Sequence, residues 1–122
     1  MTEEKKKLDA APLVKRLIEK SNAGKLDWEP TADRQQFVTS VGGDTSFRIR
    51  MVTVTDIDDY GQPESVEVPR LDMLDQKGHL LWQLQGRDVP AGVLRELFEI
   101  ARRIGNRLDT RVAGAIDALD KL

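Results

Sequence analysis

Hydrophobic periodicity assigns the chain to the α+β class, with an N-terminal helix, an antiparallel meander of four to five strands and a long C-terminal amphipathic helix. Apolar residues recur at helical spacing before Gly24, alternate between Lys25 and Gln85, and return to helical spacing from Val89 onward. The links between strand candidates are too short for crossover helices, which favours antiparallel neighbours. The chain has 122 residues, enough for one domain with a single core. We place that domain at 8–122 and expect a disordered tail at 1–7, where MTEEKKK offers no apolar surface to bury.

The first helix is expected from about Ala10 to Asn22. Asp9 suits its N-cap, and Pro12 is tolerated because first-turn N–H groups have no partner within a helix. Leu13, Val14, Leu17 and Ile18 make its apolar face, and Gly24 can adopt the positive φ that ends it.

Leu26–Pro30 is a fifth strand candidate ahead of four clearer ones. Phe37, Thr39 and Val41 alternate with polar neighbours up to the turn Gly42-Gly43-Asp44. In Thr45–Thr55, Phe47, Ile49 and Met51 take one face and Arg48 and Arg50 the other. Val52 and Val54 break that pattern, which predicts a bulge or cover on both sides. Ser65–Leu74 follows, and Pro69 inside it marks an edge or a bulge, because proline cannot donate to a ladder. Asp75-Gln76-Lys77-Gly78 reads as a turn. His79–Gln85 closes the series with Leu80, Trp82 and Leu84 on one face.

In the last third, Leu94, Leu97, Phe98, Ala101, Ile104, Leu108, Val112, Ala115, Ile116 and Leu119 fall within an arc of roughly 120° at about 100° per residue. Glu96, Arg103, Arg107 and Lys121 lie on or near the opposite side. A glycine inside a helix costs about 1 kcal/mol, less than burying one aliphatic side chain returns, so one unbroken helix of about 30 residues is expected. The alternative is a break at Gly105-Asn106. An unbroken helix would be about 45 Å long and would overhang a domain roughly 35 Å across. Val112, Ile116 and Leu119 would then need apolar partners, and a second copy of the chain is the nearest source.

The segments LIEKSNAGKLDWEPT, DQKGHLLW and LRELFEIARRIGNRLDTRVAGAIDAL resemble a group of small uncharacterised bacterial and phage proteins. That group shares a GKLxWE entry to a sheet and a closing LxELFExARR…IDxL helix. The resemblance implies a bacterial or phage origin and the same helix–sheet–helix order, and it implies no activity.

Composition narrows the function classes. Charged residues make up 33%, hydrophobic residues 39%, and the net charge is −2, which argues against a general nucleic-acid or membrane binder. The absence of cysteine excludes disulfides, thiolate metal sites and cysteine nucleophiles. With no signal-like h-region and no run of about 20 apolar residues, a cytoplasmic protein is expected. No serine elbow or phosphate loop is present, and no cofactor or metal is expected. The segment Asp56–Glu67 matches calcium-loop positions at Asp56, Asp58, Gly61 and Glu67. Tyr60 stands where a carboxylate belongs, however, and strands flank the loop, so a plain hairpin turn is the better reading. His79 is the sole histidine and has no partner at motif spacing. Trp82, in phase with Leu80 and Leu84, is the stronger core candidate, while Trp28 would wedge helix against sheet.

Charge is unevenly spread. Asp56, Asp58, Asp59, Glu64, Glu67, Asp72 and Asp75 face only Arg70 in their stretch, whereas Arg102, Arg103, Arg107 and Arg111 face only Asp109. Arg103, Arg107 and Arg111, at i, i+4 and i+8, would form a ridge on the helix. Its ordinary role is a solvated face, with Glu99–Arg103 as an i, i+4 pair. The leading reading is therefore a non-enzymatic protein-interaction or regulatory module, a homodimer or larger, self-associating through Val112, Ile116 and Leu119. The alternative is an anion or nucleic-acid binder that uses the arginine ridge. An enzyme assembled around His79 and carboxylates ranks third. If Asp56–Glu67 is only a turn, millimolar calcium leaves the melting temperature unchanged. A site filled to 100 times its Kd would instead add about 2.7 kcal/mol, several degrees for a domain of this size.

Overall fold

Five antiparallel strands lie side by side in chain order: β1 (Glu29–Pro30), β2 (Gln36–Val41), β3 (Thr45–Ile57), β4 (Pro63–Asp75) and β5 (Leu80–Gln85). Helix α1 (Ala11–Asn22) precedes them, and a 3₁₀ turn at Gly86–Asp88, α2 (Val93–Gly105) and α3 (Leu108–Asp120) follow. This computed structural model describes residues 9–33 and 35–122, so the expected tail at 1–7 lies outside the described residues.

Helix α1 begins one residue later than the sequence suggests. Asp9 still acts at its start, accepting the Ala11 N–H at 3.0 Å. At the other end Gly24 takes φ +73°. Its N–H reaches the Ser21 carbonyl, and Lys25 N–H reaches that of Lys20. That pair of bonds is a Schellman stop.

The core is built on one apolar rung. Register aligns Pro30, Phe37, Ile49, Leu71 and Leu84 across all five strands on a single face. Helix α2 lies over that face with Leu94, Leu97, Phe98 and Ala101 buried, and α1 packs beside α2 through Val14 and Leu17. Each large apolar side chain so buried contributes roughly 1.5–3 kcal/mol. Phe98 meets Phe37 edge-on, with ring centroids 5.9 Å apart. Trp28 is sealed beneath α1, donating from Nε1 to Ser21 Oγ at 2.8 Å, while Ser21 Oγ donates to the Leu17 carbonyl at 2.6 Å.

Several expectations need correction. Trp28, not Trp82, is the fully buried tryptophan; Trp82 is half-buried against the core. A register shift between Met73 and Leu74 pairs Leu80 with Leu74 and Trp82 with Met73. Leu80 is thereby turned to the opposite face, where it is exposed. Val41 is exposed as well, at the end of β2 where it runs into the turn. No bulge interrupts β3 at Val52 and Val54, since β3 and β4 pair without a slip from Thr45↔Asp75 to Ile57↔Pro63. The apolar side changes because β2 and β5 end. Beyond Met51 and Arg70 the two strands continue as a bare ribbon, and Val52↔Val68 and Val54↔Val66 form a half-buried cluster on the face away from the helices. Pro69 stands on the interior strand β4 but past the last rung of β5, which is Arg70↔Gln85. Met51 N–H donates away from β4, to the Gln35 carbonyl. Its partner Pro69 therefore sits at a non-bonded position of the β3–β4 ladder, with its nitrogen side toward the open edge.

The single long C-terminal helix is replaced by two. Helix α2 stops with Asn106 as its C-cap, and Arg107 takes φ 52°, ψ 44° before α3 begins. The apolar stripe runs on across the break, but an unbroken helix would repay its internal glycine only by burying Val112, Ile116 and Leu119, and no residue of α3 is buried. Gly105 is needed for another reason. A Cβ there would lie 2.5 Å from Phe37 Cδ1 and 3.4 Å from the Trp28 carbonyl, so its absence lets the end of α2 rest on the sheet. Gly105→Ala should therefore destabilise by roughly 1–3 kcal/mol through overpacking, measured by urea unfolding. In an open helix the same change would stabilise by up to about 1 kcal/mol.

Candidate functional site

The expected self-association residues lie together on α3. Val112, Ile116 and Leu119 are 50%, 56% and 65% exposed, and Leu108 and Leu122 continue the line. Within the helix, spacing of +4, +3 and +4 through Leu108, Val112, Ala115 and Leu119 is that of a two-helix seam. The break at Asn106–Arg107 does not fold α3 onto the body of the domain. Alongside its start, a cleft of about 550 Å³ runs between α1 and α2, with Leu26, Ile100, Ile104 and Leu108 in its walls.

The arginines do not form one ridge. The left-handed backbone at Arg107 separates Arg103 on α2 from Arg111 on α3. Glu99 pairs with Arg102, at 2.6 Å, and not with Arg103. Arg103 reaches across the break to Asp109 at 2.8 Å, bracing the two helices at their joint. All these groups are well exposed, so each pair contributes at most about 1 kcal/mol. Arg107 and Arg111 have no carboxylate partner among the described residues.

The acidic loop is one of two turns of the same design. In Asp58–Gln62 the aspartate Oδ1 accepts the N–H groups of Tyr60 and Gln62, and Gly61 takes φ +76°. In Asp75–His79 the aspartate Oδ1 accepts those of Lys77 and His79, and Gly78 takes φ +83°. Each is a type I turn closed by a glycine bulge, so Asp58 is spent on backbone. Asp56 accepts the Ile57 N–H, and Glu67 sits in the ladder opposite Thr53. Among the described residues no three His, Asp or Glu side chains converge on a possible ion. His79 stands at an exposed hairpin end with Nδ1 3.4 Å from Asp75 Oδ2. Backbone N–H bonds from His79 and Lys77, with the nearby imidazole, hold the Asp75 carboxyl below the usual aspartate range.

Sequence reasoning missed Asp72, the one fully buried charged residue among the described residues. Asp72 faces away from the helices yet is 0% exposed, because three strands converge on it. Cross-strand register puts Arg48 and Gln83 directly opposite and Arg50 on the diagonal. Arg48 Nε and Arg50 Nε donate to Oδ2 at 2.8 and 2.9 Å, and Gln83 Nε2 donates to Oδ1 at 3.0 Å. Alternation already placed Arg48 and Arg50 on that face, but not the register that sets Asp72 between them. Burial alone would push the Asp72 pKa up. The bonds from Gln83, Arg48 and Arg50, together with the charge of Arg50, outweigh it and hold the carboxyl below its ordinary value of 3.8.

No family model matches the chain, and neither a curated protein nor a solved structure is significantly similar to it. Among the described residues no helix is long and apolar enough to cross a membrane.

Asp72→Ala strands two half-buried arginines and should cost on the order of 3 kcal/mol at neutral pH. A depressed carboxyl contributes stability above its unfolded pKa and loses it as pH falls through the lower folded value. Urea midpoints followed downward from about pH 6 should show wild type losing this increment below its ordinary value of 3.8. The variant, already weaker, should lack that part of the acid decline.

Proposed function

We propose that the protein is a non-enzymatic interaction module that pairs with a second copy of itself through α3. The observation that carries the reading is a 13-residue helix with no buried side chain and a seam-spaced row of exposed aliphatics. A helix of this length with no apolar burial is marginal, and exposed ion pairs such as Arg103–Asp109 add little, so apolar cover is the missing stabilising contact. A second copy suits the distribution of charge. At the start of α3 Arg107 and Arg111 outnumber Asp109, which pairs with Arg103, and at its end Asp117 and Asp120 outnumber Lys121, which pairs with Asp117 at 3.2 Å. An antiparallel pair about a two-fold axis brings opposite signs together at both ends, and Ala115 leaves room for close approach at the centre. A helix about 20 Å long and 10 Å wide offers less than the roughly 800 Å² per partner of a standard interface. The contact therefore extends into the cleft lined by Leu26, Ile100 and Ile104.

The second reading, an anion or nucleic-acid binder using Arg102, Arg103, Arg107 and Arg111, draws support from the free state of Arg107 and Arg111 alone. It predicts binding that weakens steeply with salt, whereas an apolar seam is salt-tolerant.

Light scattering behind size exclusion at micromolar concentration should give twice 13.7 kDa. Ile116→Glu combined with Leu119→Glu should give the single mass with the core intact. A wild-type particle of 13.7 kDa overturns the proposal.

A further inference from the structure

Past the end of β5, the chain leaves the open edge of β4 through the Gly86–Asp88 turn and reaches the start of α2. The notch between these elements is a cleft of about 440 Å³, within the size range of small-ligand sites. Val54, Val68 and Leu94 contribute apolar wall, and Arg70, Arg87 and Arg95 contribute the charge. Among the described residues no acidic side chain lines it. Asp88, next to the lining residue Arg87, is occupied in accepting the Gln85 N–H at 2.8 Å.

Arg70 is the anomaly. Its Nε is fully buried and donates to nothing among the described residues. A buried donor without a partner costs about 1–3 kcal/mol, more when charged. Its cross-strand partner is Arg50, and like charges directly opposite in a ladder repel. Arg50 is balanced by Asp72, but that carboxylate is already shared with Arg48, so Arg70 is left without an anion. Arg95 is fixed at the cleft by a bond from its guanidinium to the Glu67 carbonyl at 3.3 Å. Helix α2 also starts without a side-chain cap at Gly92, which adds partial positive charge on the same side.

The geometry points to a binding site for an organic carboxylate, whose charged end pairs with Arg70, Arg87 and Arg95 and whose apolar body lies against Val54, Val68 and Leu94. Guanidinium groups take carboxylates in paired hydrogen bonds. The apolar walls favour a single charge on a hydrocarbon body over a heavily hydrated phosphate dianion. The same chemistry is presented by a free aliphatic acid and by the C-terminal residue of an apolar peptide. This site shares no residue with the α3 seam and does not rest on self-association.

The test is a titration of ¹⁵N-labelled full chain at constant ionic strength, following the arginine Nε–H signals and the Gly92 and Val93 amides. The probes are hexanoate, a short apolar peptide with a free C-terminus, its C-terminal amide, and inorganic phosphate. A saturable shift centred on Arg70 with hexanoate, with the acid peptide, or with both supports the site. Which of the two binds more tightly identifies the source of the carboxylate. Arg70→Gln should weaken binding by about tenfold or more, the equivalent of one charged hydrogen bond. If that variant fails to fold, the Arg87→Gln, Arg95→Gln double variant carries the same expectation. No shift with either carboxylate, an equal shift with phosphate or the amide, or unchanged affinity in the folded variant overturns the proposal.

Discussion

Helix α2 can cover the sheet only because its last residue has no side chain. The rung Phe37–Ile49–Leu71–Leu84 is met along its length by Leu94, Leu97, Phe98 and Ala101, and at the end by the bare backbone of Gly105 against the Phe37 ring. A methyl group there would press into the Phe37 ring, so the helix end or the ring would have to shift. Much else follows from that seating. Helix α1 packs on the side of α2, Trp28 is closed in beneath α1 by the Ser21 hydroxyl, and the chain turns at Asn106 and Arg107, directly after the glycine seated on Phe37.

Local chemistry was the legible part of this sequence. Asp9 and Gly24 bound the first helix as their side chains allow. Asp58 with Gly61, and Asp75 with Gly78, specify two turns that the backbone then builds alike. The alternation Phe47–Ile49 against Arg48–Arg50 reports faces correctly. What could not be read is whatever depends on which strand ends where. Val52 and Val54 look out of phase only until β2 and β5 are seen to stop short of them, and Pro69 looks misplaced on an interior strand for the same reason. Leu80 changes face through a slip of register that its own alternation with Trp82 conceals. The helix break is harder still. A stripe is counted by residue number, and Asn106 and Arg107 interrupt the backbone without interrupting the count. Of the expected site residues, Val112, Ile116 and Leu119 do stand together and exposed, while Arg103, Arg107 and Arg111 are divided by the break. Asp72, Arg70 and the cleft beside β5 needed the register across three strands.

The polar face of the sheet follows a different rule from the core. Asp72 is held by two arginines and a glutamine, so its charge is balanced and its lone pairs are used. Two rungs along on the same face, Arg50 and Arg70 stand opposite each other, and only Arg50 reaches the Asp72 carboxylate. A protein can bury a charge at modest cost when hydrogen bonds are complete, but an incomplete network is expensive. The contrast between these two rungs of one face is what separates a structural ion cluster from a surface poised to take up an anion.

Strand order that matches chain order has a further consequence, during synthesis. Each hairpin can close as soon as its second strand leaves the ribosome, since every strand pairs with its immediate predecessor, and local pairings of this kind form quickly. The apolar rung is then complete at Leu84, before α2 exists. For the time taken to add Leu94 to Gly105 and let them emerge, the nascent sheet presents Phe37, Ile49, Leu71 and Leu84 to solvent with only α1 nearby. At about 5–20 residues per second that interval is on the order of seconds. It is the stage at which this chain is most open to misassociation with its neighbours.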